Sequence, residues 1–413
     1  MRVSGERGAG NGPGVGPGRG DPEVPSEVLE IVRTLEGAGH EAWCVGGALR
    51  DAILGRSHAD FDIATAAVPD QVLALFRRTV PVGLRFGTVG VLDGRGGLHE
   101  VTTFRRDVAT DGRHAEVAYG VSLEEDLARR DFTVNALAWH PLRREWRDPF
   151  GGEDDLRARI LRAVGDPATR FREDYLRVLR ALRFAARLDF AIEPATWAAA
   201  CAAAEGLHGL SAERVRDEWM KGLATAVSLE RFLRLWHQSG AATAWMPGLV
   251  GPDQAPWTGI VGHDPGAPRD PVLFTIVLTA NPPFVLTRLR ASNAEVARAH
   301  AVMKGPLAPE SSGPAAVRRW LSATGPAADD LMAIERLMTG ARPAWGSEVA
   351  RIRLRRDPLT RADLAVDGTD LAEAGIAPGP ALGRVLEGLL AFVLEDPERN
   401  RRDTLLARAR ELA

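Results

Sequence analysis

The sequence contains few of the residues that mark secreted or membrane-spanning proteins. It has only two cysteines, Cys44 and Cys201, among 413 residues. Two cysteines cannot build a disulfide framework, and the absence of a nearby Cys/His cluster excludes a zinc site. Both cysteines are therefore predicted to be buried apolar residues in a reducing compartment. The sequence shows no apolar run of 18 residues and no signal-peptide pattern. We therefore expect a cytoplasmic protein with no membrane partner.

An excess of positive charge is also absent. The formal net charge is −3, which excludes a global basic field, so any nucleic-acid surface must come from a local concentration of arginine. Lys221 and Lys304 are the only lysines. With 45% hydrophobic and 26% charged residues, the chain can form two or more globular units. Residues 1–25 alternate glycine, proline and charge, and are predicted to be a disordered tail.

The most informative stretch is Val45–Thr65, which reads V-G-G-A-L-R-D-A-I-L-G-R-S-H-A-D-F-D-I-A-T. Gly46 and Gly47 follow a short apolar run and precede a predicted helix, Ala48–Leu54. Backbone N–H groups exposed at such a turn can hold a phosphate. Arg50 adds positive charge at the same place.

Two carboxylates follow this turn in the sequence D-F-D. Along a strand, alternation points Asp60 and Asp62 to one face and turns Phe61 into the core. Carboxylates so close repel each other unless a cation lies between them. Mg²⁺ held there beside a nucleoside triphosphate suits phosphoryl-type transfer, commonly with two ions about 4 Å apart. Taken alone, the Gly-Gly segment has an ordinary turn as its alternative interpretation, and D-F-D has a solvated loop.

Three segments after this stretch carry further candidate residues. Residues 87–92 and 99–104 are predicted strands, and Glu100 in the second is either a site carboxylate or a surface residue. Residues 105–122 are polar with little periodicity, which predicts a mobile loop. The segment L-A-R-R-D-F-T-V-N-A-L-A contains Arg130, Asp131 and Asn135; its alternative interpretation is a charge cluster at a helix end.

A predicted helix, Arg172–Leu188, contains E-D-Y-L-R-V-L-R-A-L-R-F-A. Asp174, Arg177, Arg180 and Arg183 recur every three residues along one face of it. An amphipathic surface helix with ion pairs would show the same pattern.

Together these motifs resemble the DNA polymerase β-like nucleotidyltransferase superfamily, and within it the class II tRNA nucleotidyltransferase and poly(A) polymerase family. The resemblance spans roughly Ser26 to the C-terminus, and its specific motifs all lie before Ala195. It implies an α+β fold in which a polymerase β-like head with a mixed sheet is followed by mostly helical neck, body and tail domains. The expected bounds are 26–152 for the catalytic head, 153–210 for the base-recognising neck, 211–330 for the body and 331–413 for the RNA-binding tail.

The same resemblance implies the roles of the site residues. Asp60 and Asp62 would hold Mg²⁺, with Glu100 as a third catalytic carboxylate. The implied nucleotide-binding residues are Gly47, Arg50, Arg130, Asn135, Asp174, Arg177, Arg180 and Arg183.

Within this set, E-D-x-x-R resembles the base-reading element of the family. Asp174 can accept from an exocyclic amine while Arg177 donates to the adjacent ring nitrogen, a pair that both cytosine and adenine offer. Uracil and guanine present an oxo group instead, which leaves the carboxylate unpaired at a cost of roughly 1–3 kcal/mol. Selection of CTP and ATP would then need no nucleic-acid template.

The resemblance thus implies an enzyme that adds C, C and A to tRNA 3′ ends, with tRNA, CTP and ATP as partners. The polar segment 105–122 resembles the loop that such enzymes need for switching from C to A addition. Rival functions are poly(A) synthesis, addition of only CC or only A, transfer to a small molecule and, in another class, non-catalytic RNA binding. The oligomeric state is left open.

Overall fold

A computed structural model describes residues 20–56, 61–110, 115–251 and 269–413, with the backbone alone for the described residues between 107 and 117. The chain forms two compact units. One contains Met1–Ser228 and Leu235–Trp245, and the other contains Leu229–Arg234 and Met246–Ala413.

The first unit is built on a seven-stranded sheet with the order β3-β4-β5-β2-β1-β8-β9. The strands in chain order are β1 (Ala42–Val45), β2 (Asp62–Thr65), β3 (Thr79–Gly83), β4 (Thr88–Leu92), β5 (Leu98–Thr103), β6 (Arg105–Thr110), β7 (Ala115–Tyr119), β8 (Ala138–His140), β9 (Glu145–Arg147), β10 (Ile160–Leu161) and β11 (Ala191–Ile192). In the large sheet β2 and β5 are parallel and the other neighbours are antiparallel. The mixed sheet expected from the sequence is confirmed.

Helices cover this sheet and continue beyond it. They are α1 (Ser26–Gly37), α2 (Gly47–Ile53), α3 (Pro69–Leu75), α4 (Leu123–Ala128), α5 (Gly152–Ala158), α6 (Pro167–Glu173), α7 (Leu176–Leu188), α8 (Pro194–Ala202), α9 (Ala212–Thr225), α10 (Leu229–Gln238) and α11 (Ala241–Trp245). Strand β1, which lies between β2 and β8, is buried along its whole length. Trp43 on β1 lies in a core with Phe104, Leu127 and Ala138, so the sheet is anchored where the Gly-Gly turn leaves it.

Two segments differ from their predicted conformations. The predicted loop 105–122 contains β6 and β7, which pair as an antiparallel hairpin. Backbone groups make this pairing, so a ribbon can form without the apolar alternation on which the sequence prediction relied. The predicted helix Arg172–Leu188 is broken at Asp174, whose φ of −155° and ψ of 103° are extended. Asp174 therefore precedes α7, and only the three arginines after it share a helix face.

The second unit is helical in its described part. Its helices after α11 are α12 (Pro271–Leu278), α13 (Pro282–Arg288), α14 (Asn293–Lys304), α15 (Pro314–Thr324), α16 (Ala328–Thr339), α17 (Gly346–Arg355), α18 (Gly368–Glu373), α19 (Pro380–Glu395) and α20 (Arg402–Leu412). The buried Arg318 on α15 donates from Nε to the carbonyl of Leu394 at 2.7 Å and from Nη1 to Asp357 at 3.2 Å. Because the last carbonyls of a helix lack helical partners, this arginine satisfies the end of α19.

No helix in the described part of the chain combines the length and the hydrophobicity needed to span a bilayer. The α+β class with a helical remainder is confirmed. The division into head, neck, body and tail stays a prediction.

We predict that Gly152→Ala destabilises the first unit. A Cβ at this position would lie 2.2 Å from the backbone oxygen of Thr133, and overpacking of this kind costs about 1–3 kcal/mol or more. Gly37→Ala is the matched control, because its Cβ would meet nothing within 4 Å. Urea unfolding should show a lower midpoint for Gly152→Ala only. Equal midpoints in both variants would contradict the close approach of α5 to the turn Thr133–Asn135.

Candidate active site

A cleft of about 680 Å³ lies in the first unit, and nearly all the residues singled out from the sequence line it. The lining residues come from the Gly-Gly turn, β2, β5, the segment after α4, and helices α7 and α9. The predicted site residues that line the cleft are Gly47, Arg50, Asp62, Glu100, Arg130, Asn135, Asp174, Arg177, Arg180 and Arg183. Asp60 lies outside the described residues.

The turn between β1 and α2 requires glycine at its first position. Gly46 has a φ of +83°, a region that side chains rarely adopt. A Cβ there would also lie 3.2 Å from both Nη1 of Arg130 and Oδ2 of Asp62. The backbone therefore approaches a cationic and an anionic side chain at once. This places the turn between the two kinds of group that a metal-bound triphosphate requires.

Asp62 and Glu100 come from neighbouring parallel strands. Ile63 is the register partner of Val101, so the residues just before them, Asp62 and Glu100, point to the same face of the sheet. Both are exposed and line the cleft, while Phe61 is buried on the other side. Among the residues with described coordinates, no cluster of three or more His, Cys, Asp or Glu side chains forms a metal site. The two carboxylates nevertheless supply the oxygen donors that Mg²⁺ prefers.

A chain of buried hydrogen bonds links the turn to α7. Arg50 donates from Nη1 to Oδ1 of Asn135 at 2.6 Å, and Asn135 donates from Nδ2 to Oδ1 of Asp131 at 3.0 Å. Oδ2 of Asp131 accepts from Arg180 at 2.7 Å. Burial raises the pKa of Asp131, but the charge of Arg180 and these hydrogen bonds outweigh it and hold the pKa below its ordinary value. The carboxylate therefore stays ionised and fixes both neighbours.

Arg130 is held beside the Gly-Gly turn. Its Nη1 donates to the carbonyl of Asn135 at 3.2 Å, and its Nη2 lies 3.5 Å from Oδ2 of the buried Asp126. Burial lowers the pKa of Arg130, and the charge of Asp126 opposes that shift. Its Nε is buried and has no hydrogen-bond acceptor among the residues described. An anion in the cleft would meet a cation that its surroundings only partly satisfy.

The predicted base-reading pair has partners of its own. Oδ1 of Asp174 accepts from the backbone N–H of Leu176 at 3.0 Å, and Oδ2 accepts from Nη2 of Arg214 at 2.6 Å. Each carboxylate oxygen has two acceptor positions, so a further donor can still bind. The break before α7 thus aims this carboxylate into the cleft.

Arg177 is anchored through the two terminal nitrogens of its guanidinium. Nη1 donates to the carbonyl of Arg170 and to Glu173, and Nη2 donates to the carbonyl of Arg129. These bonds use both Nη1 hydrogens and one Nη2 hydrogen. The remaining Nη2 hydrogen and Nε–H have no acceptor in the described part of the chain, so Arg177 keeps donors for a ligand.

Arg183 is turned away from solvent and paired. Its Nε donates to Oε2 of Glu218 at 2.5 Å, and its guanidinium lies 4.2 Å from the ring centre of Phe184. Arg180 also contacts this face of α9, with Nη1 3.9 Å from Oε1 of Glu218. The role that the resemblance implies for Arg180 and Arg183, nucleotide binding, stays a prediction.

The sequence interpretation missed Arg214 and Glu218 on α9. Their four-residue spacing in A-E-R-V-R-D-E-W puts both on one helix face and was visible in the sequence. The spacing alone does not show what the two residues contact, because their partners lie 40 and 35 residues away in the chain. Both also lie beyond residue 210, where the predicted neck ends.

Two family models and a solved structure match this chain. Residues 42–162 match the family model described as the Poly A polymerase head domain, and residues 189–250 match the model described as the probable RNA and SrmB-binding site of polymerase A. The chain is similar to a solved CCA-adding enzyme of Bacillus stearothermophilus in complex with CTP, with a TM-score of 0.75, 32% identity, and coverage of 93% of this chain and 96% of that one.

Two curated relatives match over almost their whole length. The CCA-adding enzyme of Geobacillus stearothermophilus is 35% identical over 92% of this chain and 95% of its own. The CCA-adding enzyme of Leuconostoc mesenteroides is 36% identical over 94% of this chain and 98% of its own. Identity at this level, sustained along nearly the full length of each pair, means that the chain belongs to the family of CCA-adding enzymes.

Proposed function

We propose that this protein adds C, C and A to the 3′ ends of tRNA, using CTP and ATP and releasing pyrophosphate without a nucleic-acid template. The observation that carries the proposal is the composition of one cleft. Carboxylates on β2 and β5, arginines around the Gly-Gly turn, and the Asp174–Arg177 pair all face the same 680 Å³. The full-length similarity to CCA-adding enzymes supports it.

Asp62 and Glu100, with Asp60, would hold Mg²⁺. Bound there, the metal ions would lower the pKa of the primer 3′-hydroxyl and offset the charge of the leaving pyrophosphate. Within the cleft, Arg50 and Arg130 position the triphosphate by charge-assisted hydrogen bonds. The close approach of Gly46 to both Asp62 and Arg130 supports this arrangement, because it leaves no room for a side chain between metal ligands and phosphate donors.

Asp174 and Arg177 would select the base. Arg214 and the N–H of Leu176 fix the Asp174 carboxylate, and three hydrogen bonds to protein acceptors fix Arg177. A rigid acceptor beside a rigid donor fits the amine and ring nitrogen of cytosine or adenine, while an oxo group faces the carboxylate unfavourably.

The helical remainder would hold the tRNA, and the protein would work in the cytoplasm. The Arg-rich stretch 351–356 is not a free cationic surface, because Arg351, Arg353 and Arg355 pair with Glu348, Asp329 and Asp357 respectively. The arginine side chains themselves are 45–65% exposed, so phosphates could still compete for them.

Poly(A) synthesis is the second candidate, because the matching head model is described by that activity. The test is to supply single nucleotides with three primers, namely tRNA lacking its last three nucleotides, tRNA ending in CC, and oligo(A). The proposal predicts two additions of C to the first primer and one of A to the second. Long A tails on oligo(A) would identify a poly(A) polymerase, and failure of one step on tRNA would identify a partial enzyme.

Asp62→Ala should abolish nucleotide addition and leave tRNA binding nearly unchanged, because this carboxylate serves the metal and the RNA is held elsewhere. Asp154→Ala is the matched control, since its side chain is 86% exposed on α5, away from the cleft. Single-turnover rates and a tRNA binding curve would be measured for both. Turnover of Asp62→Ala within about tenfold of wild type, a difference of only 1.4 kcal/mol, would contradict the assignment.

Shortening the β6–β7 hairpin at its tip should leave CC addition and remove the final A, as the resemblance of this segment implies. The change spares the strand β5 and therefore Glu100. Extension of tRNA lacking CCA would be followed on sequencing gels. Equal loss of both steps would show that the hairpin is structural, and unchanged A addition would show that it has no role in the switch.

Asp174→Ala should reduce the preference for CTP over UTP, because it removes both the gain from an amine and the penalty on an oxo group. The loss should be about 1.5–3 kcal/mol, the range for one charge-assisted hydrogen bond. Arg172→Ala, an exposed residue of α6, is the control. If kcat/KM for all four nucleotides falls uniformly and the preference survives, Asp174 serves only to hold Arg214 and the start of α7.

A further inference from the structure

Arg50 is held on three sides within the cleft. Its Nε donates to Oδ1 of Asp51 at 2.9 Å, its Nη1 donates to Asn135, and its guanidinium lies 5.2 Å from the ring centre of Phe184. Only 2% of the residue is exposed. A guanidinium is planar and its donors form a rigid fork, so fixing two nitrogens fixes the third.

The third nitrogen of Arg50 faces the phosphate-binding turn. Nη2 is the atom nearest to the Cβ position of Gly47, at 3.4 Å. It has no hydrogen-bond acceptor among the residues described, whereas Nε and Nη1 both have one. Its direction is therefore set by the acceptors of the other two nitrogens, of which Asp51 is the charged one.

Asp51 also joins α2 to α7. Its second oxygen, Oδ2, accepts from Nη2 of Arg187 at 3.2 Å. The Asp51 side chain is 12% exposed and that of Arg187 is 34% exposed. Arg187 lies on the last turn of α7 and lines the cleft with Arg50. One carboxylate thus binds two guanidiniums, one from the phosphate-binding helix and one from the helix that carries the base reader.

Without this carboxylate, like charges would face one another. Burial lowers the pKa of Arg187, Asp51 opposes that shift, and the charges of Arg50 and Arg183 add to it. The field at Arg187 is therefore already unfavourable to a cation, and Asp51 is the anion that keeps both arginines in place. Asp51 differs from the acidic partner in an ordinary surface ion pair in two ways. Its side chain is largely buried, and it is shared between two arginines of one cleft.

We propose that Asp51 and Arg187 are positioning residues for the triphosphate: Asp51 aims Nη2 of Arg50 at the Gly-Gly turn, and Arg187 fixes α7 to α2 at the same carboxylate. The inference rests on the proposed function only in taking a nucleoside triphosphate as the ligand. It assigns neither residue a contact with the reacting atoms. Its consequence is that phosphate affinity depends on both residues, while base preference does not.

The test uses the full-length protein and inorganic tripolyphosphate, a probe that has the phosphates and no base. Asp51→Asn should raise the Kd measured by isothermal titration calorimetry about tenfold, the effect of one misdirected charge-assisted contact of about 1.4 kcal/mol. Arg187→Gln should raise it about threefold, because its side chain is half-buried and more strongly screened. Arg157→Gln is the control and should leave the Kd unchanged, because Arg157 belongs to an exposed ion pair with Asp154 on α5.

Nucleotide kinetics separate positioning from general damage. In both variants KM should rise by similar factors for CTP, ATP and UTP, with kcat and the preference for CTP over UTP within about twofold of wild type. If Asp51→Asn does not fold, Arg187→Gln decides the question. An unchanged tripolyphosphate Kd in a folded variant, or a selective loss of base preference, would overturn the inference. A wild type that binds tripolyphosphate but adds no nucleotide to tRNA would instead refute the proposed function.

Discussion

The cleft depends on the carboxylate of Asp131. It accepts from Asn135, from the backbone N–H of Phe132 and from Arg180, so one buried group joins the segment after α4 to the middle of α7. Asn135 in turn accepts a hydrogen bond from Arg50. The residues proposed to read the base precede and begin α7, and the residues proposed to bind the phosphates surround the Gly-Gly turn. Their separation is therefore set by this hydrogen-bond chain, and a nucleotide has to match it.

A similar arrangement recurs around the cleft, where most of the arginines that line it have an acidic partner. The pairs are Arg50 and Arg187 with Asp51, Arg129 and Arg130 with Asp126, Arg177 with Glu173, Arg183 with Glu218, and Arg214 with Asp174. Buried ion pairs contribute little net stability, because desolvation offsets their attraction. What they contribute here is direction. A cation whose orientation is fixed in advance loses little entropy when a phosphate arrives.

Local patterns in the sequence were enough to predict the parts of the site that are local in the chain. Gly46 and Gly47 at a strand-to-helix turn, alternation around Phe61, and the strand that carries Glu100 all appear as expected, because each follows from backbone periodicity or from the φ of one residue. The break at Asp174 was not predicted, since the apolar spacing continues through it and only the extended backbone of this residue reveals it. Arg214 and Arg187 were missed for another reason. Their partners are far away in the sequence, and in so Arg-rich a chain no local pattern distinguishes them from solvated arginines.

The most direct test of this account is a double-mutant cycle on Asp131 and Arg180, measured as kcat/KM for CTP on tRNA that lacks its last three nucleotides. If their hydrogen bond holds α7 in place, Asp131→Asn and Arg180→Gln should each reduce kcat/KM by about tenfold or more, and the double variant should lose little beyond either single variant, because residues that act as one unit are not additive. Losses that multiply in the double variant would show that the two residues act independently, and would contradict the claim that this bond sets the geometry of the cleft.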